Sequence, residues 1–130
     1  MTMAAAADNR PHLPSRVPVE GYGDGGFRFG GMSHRGSLLC LPSGLWAWPV
    51  ARVADIDGAA LAPVFAEIAD IGLLLLGVGR DSWIMPDALH EQFHALKLSV
   101  EIARTGSAVS TYNILLGEGR RVAAALIAVA

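Results

Sequence analysis

A single cysteine, Cys40, stands among the 130 residues, so no disulfide can close within the chain and stability must come from a packed core. Charged residues amount to only 17% and almost cancel, leaving a net charge of −2 and no basic field for nucleic acid. Long hydrophobic runs are missing as well. The nearest approach to one, Ile71 to Val78, is interrupted by Gly72 and Gly77 and stops at Arg80, far short of the roughly 20 apolar residues that span a bilayer. Met1 to Ala7 is too short and too rich in alanine for the core of a signal peptide, and Asp8, Asn9, Arg10 and Pro11 follow at once. These absences describe a chain expected to stay in the reducing cytoplasm, without nucleic acid as partner and without a transmembrane segment. What is abundant is apolar: 52% hydrophobic residues and 15 glycines exclude general disorder and fit an α/β fold with a sheet covered on both faces.

The length suits one domain. Residues 1–16 lack periodicity and contain Pro11 and Pro14, which predicts a flexible tail and places the folded domain at residues 17–130. Phe27 and Phe29, Leu39 and Leu41, and Trp46 and Trp48 are spaced two apart between Gly and Pro clusters, the pattern of short strands and hairpins. Leu61, Val64, Phe65 and Ile68 share one helical face, with Asp57 as the expected N-cap and an end near Asp70. Leu73 to Leu76 reads as a buried strand, and Leu89, Phe93 and Leu96 as the apolar side of a helix beginning around Pro86. A strand at Val100 to Ala103 follows. A helix capped by Ser107 is then expected to carry Ala108, Tyr112, Leu115 and Leu116 inward and to stop at Gly117 or Gly119, before a final strand from Val122 to Val129. The α-β-α-β-α-β order after residue 57 predicts a three-layer α/β domain around a mixed sheet, with an added antiparallel part from the N-terminal strands.

Three places carry residue types that do chemistry. His90-Glu91-Gln92-Phe93-His94 is an H-E-x-x-H sequence whose i, i+4 histidines can bind zinc on a helix while the glutamate polarises water. A third ligand is needed, and Glu101 and Glu118 are the only carboxylates after His94; the alternative is a solvated helix edge, and no metal or other cofactor is assigned. Gly77-Val78-Gly79-Arg80 follows a strand and precedes a helix, where an open sheet binds ligands and free amides beside a cation suit an anion. It lacks both the third glycine of a dinucleotide loop and the Lys-Ser/Thr end of a P-loop, so a tight connection needing small residues explains it as well. The turn holding Glu118, Arg120 and Arg121, with Tyr112 and Asn113 expected nearby, forms a polar cluster suited to a pocket or a docking point. Trp46 and Trp48 either pack under a helix or form an apolar patch for a partner. Cys40, inside an apolar strand, and His34 and Arg35, with no acid or nucleophile nearby in sequence, carry no catalytic assignment.

Gly36-Ser37-Leu38-Leu39 with Pro42 and Trp48, the Gly77-Val78-Gly79 loop, Val100-Glu101, and the block from Thr111-Tyr112-Asn113 to Ala125-Leu126-Ile127 together resemble one family. It is the small α/β domain shared by the mitochondrial assembly factor of respiratory complex I (NADH:ubiquinone oxidoreductase), an adipogenesis-associated protein and uncharacterised bacterial and archaeal proteins. The resemblance implies a three-layer fold on a mixed sheet, no established catalytic activity, and protein partners such as respiratory-complex or membrane-assembly subunits met at the inner membrane. Val78 stands where relatives often carry Thr, Arg104 where an Asp usually precedes the Thr, and Val109 where Cys is common; chemistry resting on those side chains is absent here. The expectation is a non-enzymatic interaction or assembly module. The alternative is a small-molecule- or metal-binding enzyme using the Gly77 to Arg80 loop, the Glu118 to Arg121 turn or the His90 to His94 helix.

Overall fold

A computed structural model describes residues 15–130, so the predicted tail lies outside the described residues except for Ser15 and Arg16. Short hairpins build the first half. Strands β1 (Gly21–Gly23), β2 (Gly26–Phe29) and β3 (Met32–Arg35) form a three-stranded antiparallel sheet. The β1–β2 turn places Asp24 and Gly25 at φ 52° and 80°, the doubly positive geometry that matches the natural twist of a two-residue hairpin. Strands β4 (Ser37–Leu41) and β5 (Gly44–Trp48) make a further hairpin that joins β6 (Leu73–Gly77), β7 (Ser99–Ala103) and β8 (Val122–Leu126) in a five-stranded mixed sheet of order β5-β4-β8-β6-β7. Strand β6 runs parallel to both β7 and β8, whereas β4 runs antiparallel to β8 and β5.

Alternation along these strands sends side chains to two separate cores, as period 2 requires. Leu39, Leu41 and Trp48 join Leu74, Leu76, Ala123 and Ala125 on the face covered by helices α1 (Ala62–Ala66) and α2 (Asp87–Ala95). Leu38, Cys40 and Leu45 join Leu75, Ala124 and Leu126 on the opposite face, under helix α3 (Thr105–Gly117) and the small sheet with its Phe27 and Phe29. The result is a three-layer α/β structure. No helix among the described residues is long and apolar enough to cross a membrane.

Several predicted boundaries shift. Asp57 caps a turn, its Oδ1 accepting from Ala60 N at 2.8 Å, but helix α1 starts only at Ala62 with Pro63 in its first turn and gives way to a 3-10 turn at Ile68–Asp70. Leu96 does not reach the core. Lys97 adopts a left-handed φ of 56°, and the amides of Leu98 and Lys97 bond back to Phe93 O (3.0 Å) and His94 O (3.0 Å), a Schellman closure that turns Leu98 inward and leaves Leu96 41% exposed. Helix α3 begins at Thr105, not after Ser107, and Gly119 (φ 74°) ends it with the same paired bonds, from Gly119 N to Leu116 O and Arg120 N to Leu115 O. The last strand stops at Leu126. Ile127 N still reaches Gly77 O at 2.8 Å, but Ala128 N turns to Ser37 Oγ at 3.0 Å.

Candidate functional site

The Gly77 to Arg80 loop leaves the C-terminal end of β6 and meets the start of α3. A Cβ on Gly77 would lie 3.1 Å from Thr105 Cα and 3.3 Å from Ala108 Cβ, so only glycine lets the helix approach this closely. Thr105 then ties the junction together. Its buried hydroxyl donates to Ile127 O (2.7 Å) and accepts from Gly79 N (3.0 Å), while its amide donates to Gly79 O (3.0 Å). Arg80 donates through Nη2 to Ala130 O at 2.5 Å. The first-turn amides of Gly106 and Ser107 have no bonding partner among the described residues, and a shallow cleft there is lined by Arg80, Arg104, Ser107 and Ser110, with Tyr22 lying over Gly106.

The predicted cluster around Glu118 does not assemble with Tyr112 and Asn113. Tyr112 faces the sheet and is fully buried against Cys40, while the Asn113 amide clamps the chain entering the fold, accepting from Val19 N at 2.9 Å and donating to Val19 O at 2.8 Å. Glu118 and Arg120 are an exposed pair at 3.9 Å; Arg121 donates to Ala69 O at 3.3 Å, and its own carbonyl accepts from Gly72 N at 2.6 Å. Because β6 and β8 are parallel and pair Leu73 with Val122 and Gly77 with Leu126, this turn and the Gly77 to Arg80 loop sit at opposite ends of the sheet. Four strand residues, about 13 Å, separate the two ends, so they cannot form one pocket.

Burial decides the state of the two titratable groups in the core. It pushes the Cys40 thiol up to about 12, only partly offset by the Tyr112 hydroxyl beside it, and raises the Tyr112 phenol as well, with the Cys40 charge as a second cause. Both stay protonated at neutral pH, so neither supplies a nucleophile. On α2, Leu89 and Phe93 point into the core, whereas His90, Glu91 and His94 are all solvent-exposed. Among the described residues no third His, Cys, Asp or Glu joins them in a metal-binding group.

A broader concavity lies elsewhere, along the β4–β5 hairpin and the side of α1. It is an open trough of about 840 Å³ with Leu39, Trp46 and Trp48 on its floor and Pro63 and Ala66 on its wall. Trp48 Nε1 donates to Ala60 O (2.9 Å) and is buried; Trp46 is half-buried and donates through Nε1 to Ser43 Oγ (2.9 Å). At the turn end of the trough both oxygens of Glu67 are occupied, Oε1 by Ser43 N (2.8 Å) and Oε2 by Ser43 Oγ (2.6 Å). His34 and Arg35 line the other end. His34 Nε2 donates to Ser37 O at 2.9 Å, while Arg35 is exposed and has no acidic partner among the described residues. The paired tryptophans two residues apart were the one sequence signal for this surface; the Glu67–Ser43 bridge, 24 residues apart, left none.

Known proteins supply the comparison. An uncharacterized protein of Rhodobacter capsulatus is 38% identical over 93% of this chain and 92% of its own length. The Drosophila melanogaster protein named NADH dehydrogenase (ubiquinone) 1 alpha subcomplex assembly factor 3 is 34% identical over 84% of this chain, which spans only 57% of that longer relative. Among solved structures, one described as an outer membrane protein from Bartonella henselae superposes with a TM-score of 0.87 at 39% identity, covering 92% of this chain and 100% of that one. A family signature extends from residue 19 to residue 127, almost the whole of the described fold, and with it the chain belongs to the protein family of unknown function DUF498/DUF598.

Proposed function

We propose that this chain is a non-enzymatic protein-interaction module serving the assembly of respiratory complex I, cytoplasmic and brought to the inner membrane only through its partner. The observation that carries the reading is the 34% identity to an assembly factor across 84% of this chain. The side chains support it: the core thiol and phenol are held neutral, Asn113 and Thr105 are used up in tying the fold together, and a broad concave surface is apolar and aromatic. The test is deletion of the gene in its source organism, with assembled complex I followed by native electrophoresis and by NADH:ubiquinone activity of membranes. Complex I is expected to fall and to return with the wild-type gene. Unchanged complex I in the deletion strain, or a genome without complex I, overturns the reading.

A second reading, binding of a small anion at the start of α3, is favoured by the amides of Gly106 and Ser107, which have no partner among the described residues, beside Arg80 and Arg104. Inorganic phosphate is then expected to raise the melting temperature, less so in Arg104→Ala, because a ligand bound only by the folded state stabilises it. Equal shifts in both proteins, or none, remove this reading.

A further inference from the structure

The trough along the β4–β5 hairpin has a shape and a charge pattern that select among occupants. It is concave, so apposing it to the trough of a second copy would leave the middle unfilled, whereas a narrow convex object fills it. Its length is that of the five-residue hairpin, from the Ser37–Trp48 pair to the Leu41–Gly44 pair, about 13 Å at a strand's rise per residue. That is the span of four or five extended residues. Floor and wall are apolar, with Trp46 half-buried and Pro63 and Ala66 exposed. The charges at its two ends are unequal: Glu67 already accepts two hydrogen bonds from Ser43, whereas Arg35 has no acidic partner among the described residues and its guanidinium rests beside Gly25.

We propose that the trough receives an extended segment of a partner polypeptide whose apolar side chains alternate along it and whose carboxylate meets Arg35. This inference rests on the interaction-module reading and adds to it the chemistry of the partner. Alternation fits because every second side chain of an extended segment faces the floor, where the half-exposed Trp46 offers a flat, amphipathic contact. The acidic end fits because Arg35 gains a charge-assisted bond there.

The experiment uses the full chain and two capped synthetic heptapeptides of alternating leucine and serine, one ending in aspartate and the other carrying lysine in its place. Binding is followed by amide and indole NMR shifts. The acidic peptide is expected to move the Trp46 indole and the Ala47 amide, and the lysine peptide to bind about tenfold more weakly, the swing when an exposed attraction becomes a repulsion. Arg35→Glu, a surface change checked for folding by circular dichroism, should reverse that order, and Ala66→Arg, which places a long cation on the exposed wall of the trough, should abolish binding by both. No shift at millimolar peptide, equal affinity for the two peptides, or shifts confined to another surface would overturn the proposal. So would self-association measured by ultracentrifugation that Ala66→Arg abolishes, because the trough would then belong to a second copy. If the peptides fail while the deletion strain still loses complex I, the assembly role stands and its contact lies elsewhere.

Discussion

Replacing Thr105 with valine keeps the shape of the side chain and removes one buried oxygen. That oxygen joins three segments: it accepts from Gly79 N in the loop after β6, donates to Ile127 O after β8, and belongs to the first residue of α3. Thr105 is only 1% exposed, so water cannot take over either bond without opening the junction. A buried donor or acceptor left unpaired costs about 1–3 kcal/mol, and two are created here; with partial relaxation the expected loss is about 2–4 kcal/mol. Against a typical domain stability of about 5–15 kcal/mol this is a large fraction. Urea unfolding followed by circular dichroism should show a lower midpoint with an unchanged slope, since the surface exposed on unfolding is the same. Thr105→Ser retains the hydroxyl and should stay within about 1 kcal/mol of wild type, the lost methyl being the only difference. Amide exchange should quicken at Gly79, whose N–H loses its acceptor. A Thr105→Val protein within about 0.5 kcal/mol of wild type would refute the reasoning, because it would mean the bridge contributes no more than an ordinary surface bond.

Asn113→Ala should cost about 1–2 kcal/mol and release the segment at Val19, seen as faster exchange of the Val19 amide, since both of its backbone bonds go to that one side chain. Lys97→Gly should stabilise the protein by about 1 kcal/mol in urea titrations, because Lys97 holds the left-handed position of the α2 closure that glycine occupies without steric cost. Cys40 gives a pH dependence. In the unfolded chain its thiol ionises near 9.0, but in the fold it keeps its proton up to about 12, so its contribution is complete below pH 9 and lost as pH rises from there towards 12. Comparing wild type with Cys40→Ala between pH 9 and 10.5, the wild type should lose additional stability by up to about 1.4 kcal/mol per pH unit; parallel curves would place the thiol in contact with water.

The elements were readable because hydrophobic spacing and packing agree. Phe27 and Phe29 are buried with Arg28 exposed between them, and the order of strands and helices after residue 57 builds the mixed sheet as expected. Where a local signal was ambiguous, tertiary contacts decided. Ser107 is the better N-cap residue by type, but the backbone of Gly79 already receives the amide of Thr105, which fixes the start of α3 three residues earlier, with Arg104 at the cap. Helical spacing alone favoured Leu96, while the closure at Lys97, carried out without the usual glycine, turned Leu98 into the core instead. The functional surface was less readable. Gly77 to Arg80 and Glu118 to Arg121 are both polar turns next to buried strands, and only the parallel register of β6 with β8 reveals that they lie at opposite ends. Asn113 finds Val19 across 94 positions, a distance at which no spacing rule operates.

The same register bears on what kind of function the fold can host. Acid–base and nucleophilic sites commonly gather ionisable groups in a cleft with pKa values moved towards neutrality. Among the described residues the displaced groups, Cys40 and Tyr112, are sealed in the core and displaced away from neutrality. Val78 and Val109, at the positions where the resemblance leads one to expect Thr and Cys, are buried in different cores on opposite faces of the sheet. Hydroxyl and thiol side chains there would be separated by the sheet itself, so their replacement by valine dismantles no common pocket. The polar groups that remain exposed are dispersed: His90 and His94 along α2, Arg120 and Arg121 at one end of the sheet, Arg104 at the other, and Arg35 beside the tryptophan trough. Of these only Arg35 adjoins an apolar concavity, where a single charge can set the direction and choice of a bound segment without any group being activated. Under the proposed reading, charge dispersed around an apolar trough suits a surface that holds another polypeptide. Trp46→Ala in the complemented deletion strain separates the alternatives, because it removes the flat floor of the trough and touches none of the loops a small-molecule enzyme would use: complex I should fall with it, and full activity would exclude the trough from the assembly role.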